Sequence, residues 1–192
     1  MGTQLALLQA AQVLPEAIYG SPERKTTDFF VVLPRGRLLV EAKSSRPSLG
    51  TRTGVTAGDI DLLNKIGHAR KQINATVELL EQGNPAVAHL PRDRPVRGLV
   101  VTLEPFHNVN TILCEGILPS TAVPTATVSS HDLENVVAIL ASEPDAGSRI
   151  LAALTHPGAS IPPSLRTAVA GLKNVANPIL AECWQRWCAT AT

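Results

Sequence analysis

The sequence predicts an α/β protein built around a mixed β-sheet. Two β-rich runs beside a tight turn, at residues 29–33 and 37–43, predict an antiparallel hairpin. A long amphipathic stretch at 58–82 predicts a helix, and the nearly continuous apolar run 97–103 predicts a strand buried on both faces. Because a helix between two strands typically joins them in parallel, the sheet should contain both kinds of pairing.

The N-terminal third of the chain predicts a helix, a hairpin and a loop, in that order. Residues 3–18 carry apolar side chains at helical spacing, with Pro15 near the end, and predict a first helix. We place the hairpin turn at Arg35-Gly36, because Gly36 can adopt the positive φ that such turns need. The stretch 44–57 has almost no apolar residues and predicts a loop before the long helix.

The remaining two thirds of the chain predict two strands followed by helices. After the strand at 97–103, a weaker strand is predicted within residues 122–128. From residue 131 onward the pattern is helical, in pieces interrupted by prolines. We therefore expect a core at residues 1–128 and a mostly helical C-terminal extension at residues 129–192 that packs on it.

Composition excludes several classes of protein. Apolar residues make up 44% and charged residues 17% of 192 residues, which is typical of a globular chain rather than a disordered one. No apolar run approaches the roughly 18 residues that span a bilayer, and no signal peptide is recognisable at the start. Three cysteines, an odd number, argue against a disulfide framework. We expect a reduced cytoplasmic protein with buried thiols and no membrane partner.

Charge is unevenly distributed along a chain whose net charge is only +1. Residues 24–71 hold ten basic and four acidic residues, whereas residues 98–192 hold four basic and seven acidic residues. This asymmetry indicates a region that faces a polyanion, although a solvated charged face is the simpler alternative.

The predicted hairpin places three chemically useful side chains together. In the register of an Arg35-Gly36 turn, Phe30 lies opposite Glu41 and Asp28 lies opposite Lys43, so that Asp28, Glu41 and Lys43 share one face. Two carboxylates on neighbouring strands can hold one Mg²⁺, a metal that prefers oxygen ligands. The nearby lysine can orient the attacking water or stabilise developing charge. An ordinary salt-bridge cluster at a sheet edge is the alternative.

The pattern of Asp28, twelve intervening residues and then Glu41-Ala42-Lys43 resembles the PD-(D/E)xK nuclease superfamily, which has the restriction-endonuclease-like fold. The superfamily core is helix, three strands, helix, strand, and the predicted order over residues 3–104 is similar. The resemblance implies that Asp28 and Glu41 are metal ligands and Lys43 the catalytic lysine. Thr27 precedes Asp28 where the family pattern has proline. The resemblance also suggests Glu16 as an extra acidic ligand and Gln72 as a helical site residue, with a solvated helix face as the alternative.

These observations predict a Mg²⁺-dependent nuclease, with Mn²⁺ as a substitute metal and DNA favoured over RNA. Nucleic acid is expected beside the loop and the start of the long helix, at five basic residues: Arg46, Arg52, Lys65, Arg70 and Lys71. Two alternatives stay open, namely a non-catalytic nucleic-acid-binding module of the same fold and a protein-interaction domain using residues 161–187. A homodimer is compatible with each of them.

Overall fold

Five strands form the main sheet of the computed structural model, which describes residues 1–8, 12–44, 57–105, 109–110, 116–155 and 164–190. In sheet order they are β1 (Gln12–Pro15), β4 (Phe29–Leu33), β5 (Gly36–Lys43), β6 (Val96–Thr102) and β7 (Thr125–Ser129). The β1–β4 and β4–β5 pairs are antiparallel, and the β5–β6 and β6–β7 pairs are parallel. The prediction of an α/β protein with a mixed sheet is therefore confirmed.

Helices cover this sheet, and a short hairpin lies outside it. The helices are α1 (Gly2–Leu5), α2 (Ala57–Glu81), α3 (Ser130–Leu140), α4 (Ala146–Ala153) and α5 (Pro178–Thr190), with 3₁₀ turns at Pro85–Val87 and Leu165–Val169. The hairpin consists of β2 (Ile18–Tyr19) and β3 (Arg24–Lys25). No helix in the described part of the chain is both long enough and apolar enough to cross a membrane.

The predicted first helix over residues 3–18 is wrong. Helix α1 ends at Leu5, and β1 pairs with β4, with Val13 opposite Val31 and Leu14 opposite Phe30. Apolar spacing in this stretch fits a helix, but pairing with a distant strand overrides that local preference. Pro15 is tolerated because β1 lies at the edge of the sheet, where a missing N–H breaks no ladder on the outer side.

The β4–β5 hairpin forms, but its turn is one residue earlier than predicted. Leu33 pairs with Gly36, so Pro34 and Arg35 make the turn, and Phe30 lies opposite Leu39 rather than Glu41. The β5 residue opposite each β4 residue is therefore two positions earlier than predicted. Because side chains alternate between faces, a shift by an even number leaves every side chain on its predicted face. Gly36 has no positive φ; it leaves room for Leu151 of α4, whose Cδ1 would lie 2.5 Å from an added Cβ.

The sheet separates two apolar layers. On one face, Phe30, Leu39 and Val100 pack against the α2 side chains Ala69, Ile73 and Val77. On the other face, a second cluster joins the sheet to α1, α3 and α4 through residues that include Leu5, Val31, Val40, Val137 and Ile150. Side chains alternate along a strand, so residues 39, 41 and 43 of β5 project toward the α2 side.

A side chain covers the outer edge of β7. The Asn110 amide Nδ2 donates to the Thr127 carbonyl at 2.6 Å, and Asn110 Oδ1 accepts from the Thr127 N–H at 2.9 Å. Thr127 is in the last strand of the sheet, so this amide satisfies backbone groups that have no neighbouring strand.

The cysteines differ from the prediction of buried thiols. Cys183 and Cys188 are both exposed on α5 and neither forms a disulfide. The third, Cys114, lies outside the described residues. The general tendency of free cysteine to be buried fails here because α5 presents nearly all of its surface to solvent.

Candidate active site

Asp28, Glu41 and Lys43 come together at the end of the β4–β5 hairpin. Asp28 directly precedes β4, while Glu41 and Lys43 are the sixth and eighth residues of β5. Lys43 Nζ lies 2.6 Å from Glu41 Oε1, and the Asp28 backbone N–H donates to Glu41 Oε2 at 3.3 Å. The structure thus groups the three side chains that the sequence singled out.

The carboxylate of Asp28 continues the hairpin ladder just before β4 begins. Its Oδ2 accepts a hydrogen bond from the Ala42 N–H at 2.7 Å, one residue after Glu41. Together with the bond from Asp28 N–H to Glu41, this forms a reciprocal pair of backbone-to-carboxylate contacts between the two chain segments. A charged acceptor strengthens such bonds, so both carboxylates are held in defined orientations.

Glu41 is a buried acid beside a single ammonium group. Its side chain is 2% exposed, whereas that of Lys43 is 24% exposed. Burial raises the pKa of Glu41 above its ordinary value, as does the charge of Asp28, while the hydrogen bond and charge of Lys43 lower it. Burial is the largest of these effects. A cation next to Glu41 therefore offsets an otherwise unfavourable buried charge.

The donor set suits a hard divalent cation. Asp28 and Glu41 supply carboxylate oxygens, and Mg²⁺ is commonly held by one or two carboxylates together with waters and substrate phosphates. Among the residues that the structure describes, no group of three or more His, Cys, Asp and Glu side chains comes together. The chain's own contribution would thus be these two carboxylates, which is a magnesium-like set rather than a zinc-like one.

Helix α2 holds the segment that leads into Asp28. Gln72 Nε2 donates to the Thr26 carbonyl at 2.7 Å, and the Thr27 N–H donates to Thr76 Oγ1 at 3.1 Å. Thr76 in turn donates its hydroxyl to the Gln72 carbonyl at 2.9 Å. Thr26 and Thr27 are fully buried. The two residues before Asp28 are therefore tied to one turn of α2.

Gln72, a predicted site residue, thus supports the backbone before Asp28. Sequence reasoning missed Thr26, Thr27 and Thr76. The available signal was the i, i+4 spacing of Gln72 and Thr76, which places them on one helix face.

Glu16 was predicted near the end of a first helix, which is wrong because it follows β1 instead. Its Oε1 lies 2.5 Å from Lys25 Nζ of β3. The pairing raises the pKa of Lys25, mainly through this hydrogen bond. Glu16 is thus engaged with a lysine near the β2–β3 hairpin.

The five predicted nucleic-acid contacts have different outcomes. Arg46 and Arg52 lie outside the described residues. Lys71 is exposed and Lys65 is half-buried on α2. Arg70 is 1% exposed and its Nη1 donates to the Pro119 carbonyl at 3.2 Å, so its guanidinium group does not lie on the surface, where the contact was predicted. The helical period turns Arg70 inward while its neighbour Lys71 faces solvent.

A comparison of the sequence with models of known protein families finds no match. A comparison with curated proteins likewise finds no significant relative.

Proposed function

We propose that this protein is a Mg²⁺-dependent nuclease that hydrolyses phosphodiester bonds, in DNA rather than RNA, with Mn²⁺ as a substitute metal. The observation that carries the proposal is the contact of Lys43 Nζ with Glu41 Oε1, in a cluster whose second carboxylate, Asp28, bonds the adjacent Ala42 N–H. Two carboxylates and one ammonium on a single sheet face are the groups that metal-assisted phosphodiester hydrolysis needs.

The order of elements supports the same proposal. Helix α1, strands β1, β4 and β5 of the main sheet, helix α2 and strand β6 follow one another as helix, three strands, helix, strand. This order is similar to that of the PD-(D/E)xK superfamily, which the Asp28 and Glu41-Ala42-Lys43 pattern resembles. The β2–β3 hairpin is an insertion between the first two strands of that order.

Each residue has a distinct task in this proposal. Asp28 and Glu41 would hold Mg²⁺, which when bound lowers the pKa of a water and neutralises charge on the phosphodiester. The Asp28–Ala42 hydrogen bond keeps the carboxylates oriented before substrate arrives. Lys43 is more exposed than Glu41, its partner in the ion pair. Its ammonium group can orient the attacking water or stabilise the negative charge that develops on the phosphate.

A cleavage assay tests the proposal. Purified protein is incubated with labelled duplex DNA, single-stranded DNA and RNA in Mg²⁺, Mn²⁺ or EDTA. The expected result is metal-dependent cleavage that Asp28→Asn abolishes and Glu182→Gln, a matched acidic control paired with Arg186 on α5, leaves intact. Absence of cleavage by the wild type on every substrate and with both metals would contradict the proposal.

A protein-interaction role is the second candidate, and the C-terminal helix favours it. Trp184 and Trp187 of α5 are 64% and 61% exposed, with ring centroids 5.1 Å apart, and Leu180 is exposed one turn earlier. These three residues form an apolar stripe at i, i+4 and i+7. Pairing of two copies through this stripe would give a homodimer. Analytical ultracentrifugation of the wild type and of Trp184→Gln/Trp187→Gln measures whether such a dimer forms, and the cleavage assay separates this role from the nuclease role.

A further inference from the structure

Arginines gather at the end of the sheet opposite the candidate active site. Arg35 lies in the β4–β5 turn and Arg37 near the start of β5, while Arg92 and Arg94 lie in the segment that leads into β6. We call these four residues the arginine cluster. Asp93 is the single acid within the same segment. The cluster is therefore a strongly positive feature of a chain whose net charge is only +1.

Hydrogen bonds to backbone carbonyls hold the cluster together. Arg37 is buried, and its Nε and Nη2 both donate to the Arg94 carbonyl, at 3.1 and 2.8 Å. Arg94 Nη1 donates to the Leu33 carbonyl at 2.6 Å, which ties the β6 approach to the β4–β5 turn. Arg92 Nη2 donates to the carbonyl of Gly83 after α2 at 3.4 Å. The arginines are thus positioned by the fold.

Carboxylates do not neutralise these guanidinium groups. Among the described residues, none of the four arginines forms a salt bridge, whereas Arg149, Arg166 and Arg186 each contact an acid. The pKa of Arg37 is lowered, first by burial and further by the charge of Arg94, although Asp93 opposes the shift. Exposed guanidinium groups that make no carboxylate contact attract a polyanion.

We propose that the arginine cluster is a second contact surface for the phosphate backbone of a nucleic acid. Arg35 and Arg92 are exposed, and Arg94 is half-buried between them and Arg37. A guanidinium group matches phosphate in a bidentate geometry, and each phosphate contact releases counterions. The phosphate groups of a nucleic acid lie along its outer surface. Exposed arginines on a turn and a loop can contact them without an enclosed binding pocket.

The arginine cluster and the candidate active site lie at opposite ends of β5. Arg37 and Lys43 are six residues apart in β5, and a rise of about 3.3 Å per residue separates them by roughly 20 Å along the strand. At about 3.4 Å per nucleotide, that length corresponds to roughly six base pairs. This inference takes its partner class from the proposed function but does not depend on catalysis.

The test is a salt titration of DNA binding by the full chain in EDTA. Fluorescence anisotropy of a labelled duplex compares the wild type with Arg35→Gln/Arg92→Gln. Arg37 and Arg94 are left unchanged because they hold the loop. We expect the slope of log affinity against log salt to fall by about two, with affinity reduced on the order of tenfold.

A matched control separates local contact from net charge. Arg166→Gln/Arg186→Gln also removes two positive charges, but from arginines that already pair with Asp132 and Glu182. The control should keep the wild-type slope. An unchanged slope in the Arg35/Arg92 variant, or equal losses in both variants, overturns the inference. If poly-L-glutamate displaces the duplex from the wild type as effectively as unlabelled DNA does, the surface serves an acidic protein and the nucleic-acid assignment is wrong.

The experiment distinguishes failure of the nuclease proposal from failure of this inference. The Arg35/Arg92 variant retains Asp28, Glu41 and Lys43, and its binding is measured without metal. A wild type that cleaves nothing but shows the expected difference in slope would refute catalysis and support the second contact surface.

Discussion

Lys43 Nζ lies 2.6 Å from Oε1 of Glu41, a carboxylate whose side chain is 2% exposed. The pair is asymmetric, because the lysine reaches solvent and the glutamate does not. The ammonium therefore lies on the solvent side of a buried acid, where a substrate phosphate or a metal ion would approach.

The first prediction concerns the titration of Glu41 in metal-free protein. Burial raises its pKa above the ordinary value of 4.5, and Lys43 partly opposes the rise. The folded state then binds this proton more tightly than the unfolded state, so the contribution of Glu41 to the free energy of unfolding falls as pH rises above 4.5, up to the raised value. Lys43→Met should raise the pKa of Glu41 further and extend this fall to higher pH.

Urea unfolding across a pH series measures the effect, and Lys25→Met provides the control. That substitution also removes one lysine charge, but from the exposed pair with Glu16. If the fall in the free energy of unfolding extends to the same higher pH in both variants, the effect comes from overall charge rather than from the Lys43–Glu41 contact.

The second prediction is a divalent metal site at Asp28 and Glu41. Calorimetric titration with Mn²⁺ should show binding that Asp28→Asn or Glu41→Gln removes, because each loses a charged oxygen ligand. Asn retains an oxygen that can accept from the Ala42 N–H, so the hairpin should persist. Circular dichroism checks the fold, and Glu182→Gln, which changes an acid paired with Arg186 on α5, should bind Mn²⁺ as the wild type does. Unchanged heats in both site variants would refute the metal site.

The third prediction assigns Lys43 to the transition state. Lys43→Met keeps most of the side-chain stem and removes the charge, so a contact made only in the transition state is lost while ground-state binding persists. Turnover should fall by about 10²–10³, with near-normal DNA affinity measured on the same preparation. Equal losses of turnover and affinity would instead make Lys43 a phosphate-binding residue.

The fourth prediction tests how α2 positions Asp28. Thr76→Val removes the hydroxyl that accepts from the buried Thr27 N–H, which should lower the free energy of unfolding by about 1–3 kcal/mol. Because Thr27 precedes Asp28, Mn²⁺ affinity should also fall, by roughly 10–100-fold. Thr76→Ser restores the hydroxyl and should recover both properties. Loss of stability with unchanged Mn²⁺ affinity would limit Thr76 to a structural role.

The fifth prediction concerns the space between the hairpin turn and α4. In Gly36→Ala, the new methyl group would overlap the end of the Leu151 side chain, so this buried side chain, the sheet or the helix must shift. Overpacking of this kind costs about 1–3 kcal/mol, which urea unfolding measures. Gly116→Ala is the control, because an added Cβ there meets no atom of the described residues within 4 Å. Equal stability of the two variants would mean that α4 repacks freely.

Local pattern predicts the central elements of this fold well. The short β-rich runs of β4 and β5, the helical period of α2 and the apolar run of β6 are signals that lie within each element, so the positions of these elements follow from the sequence. The prediction of a helix over residues 3–18 fails because this stretch contains two kinds of element. Leu5 and Leu8 lie at helical spacing. Val13 and Leu14 belong to a strand whose partner, β4, lies about 17 residues further along the chain.

The sequence predicts which side chains form the candidate site. It does not predict the contacts that hold these side chains in position. The grouping of Asp28 with Glu41 withstands the two-residue error in register, because an even shift preserves the face. The Thr27–Thr76 bond joins residues 49 positions apart and depends on how α2 packs over the sheet. The burial of Arg70 depends in the same way on the distant Pro119 carbonyl. Helical spacing shows which face of α2 these residues occupy, but the sequence does not show which distant groups they meet there.

The Asn110 amide on β7 limits how this molecule can associate. Its two hydrogen bonds occupy the Thr127 donor and acceptor that an incoming strand would use. At the opposite edge, Pro15 of β1 offers no backbone donor. Growth of the sheet from one copy into the next is therefore obstructed at both ends, which protects the chain from edge-to-edge aggregation. Among the described residues, the exposed tryptophans of α5 offer a side-chain surface through which two copies could associate without strand pairing at these edges.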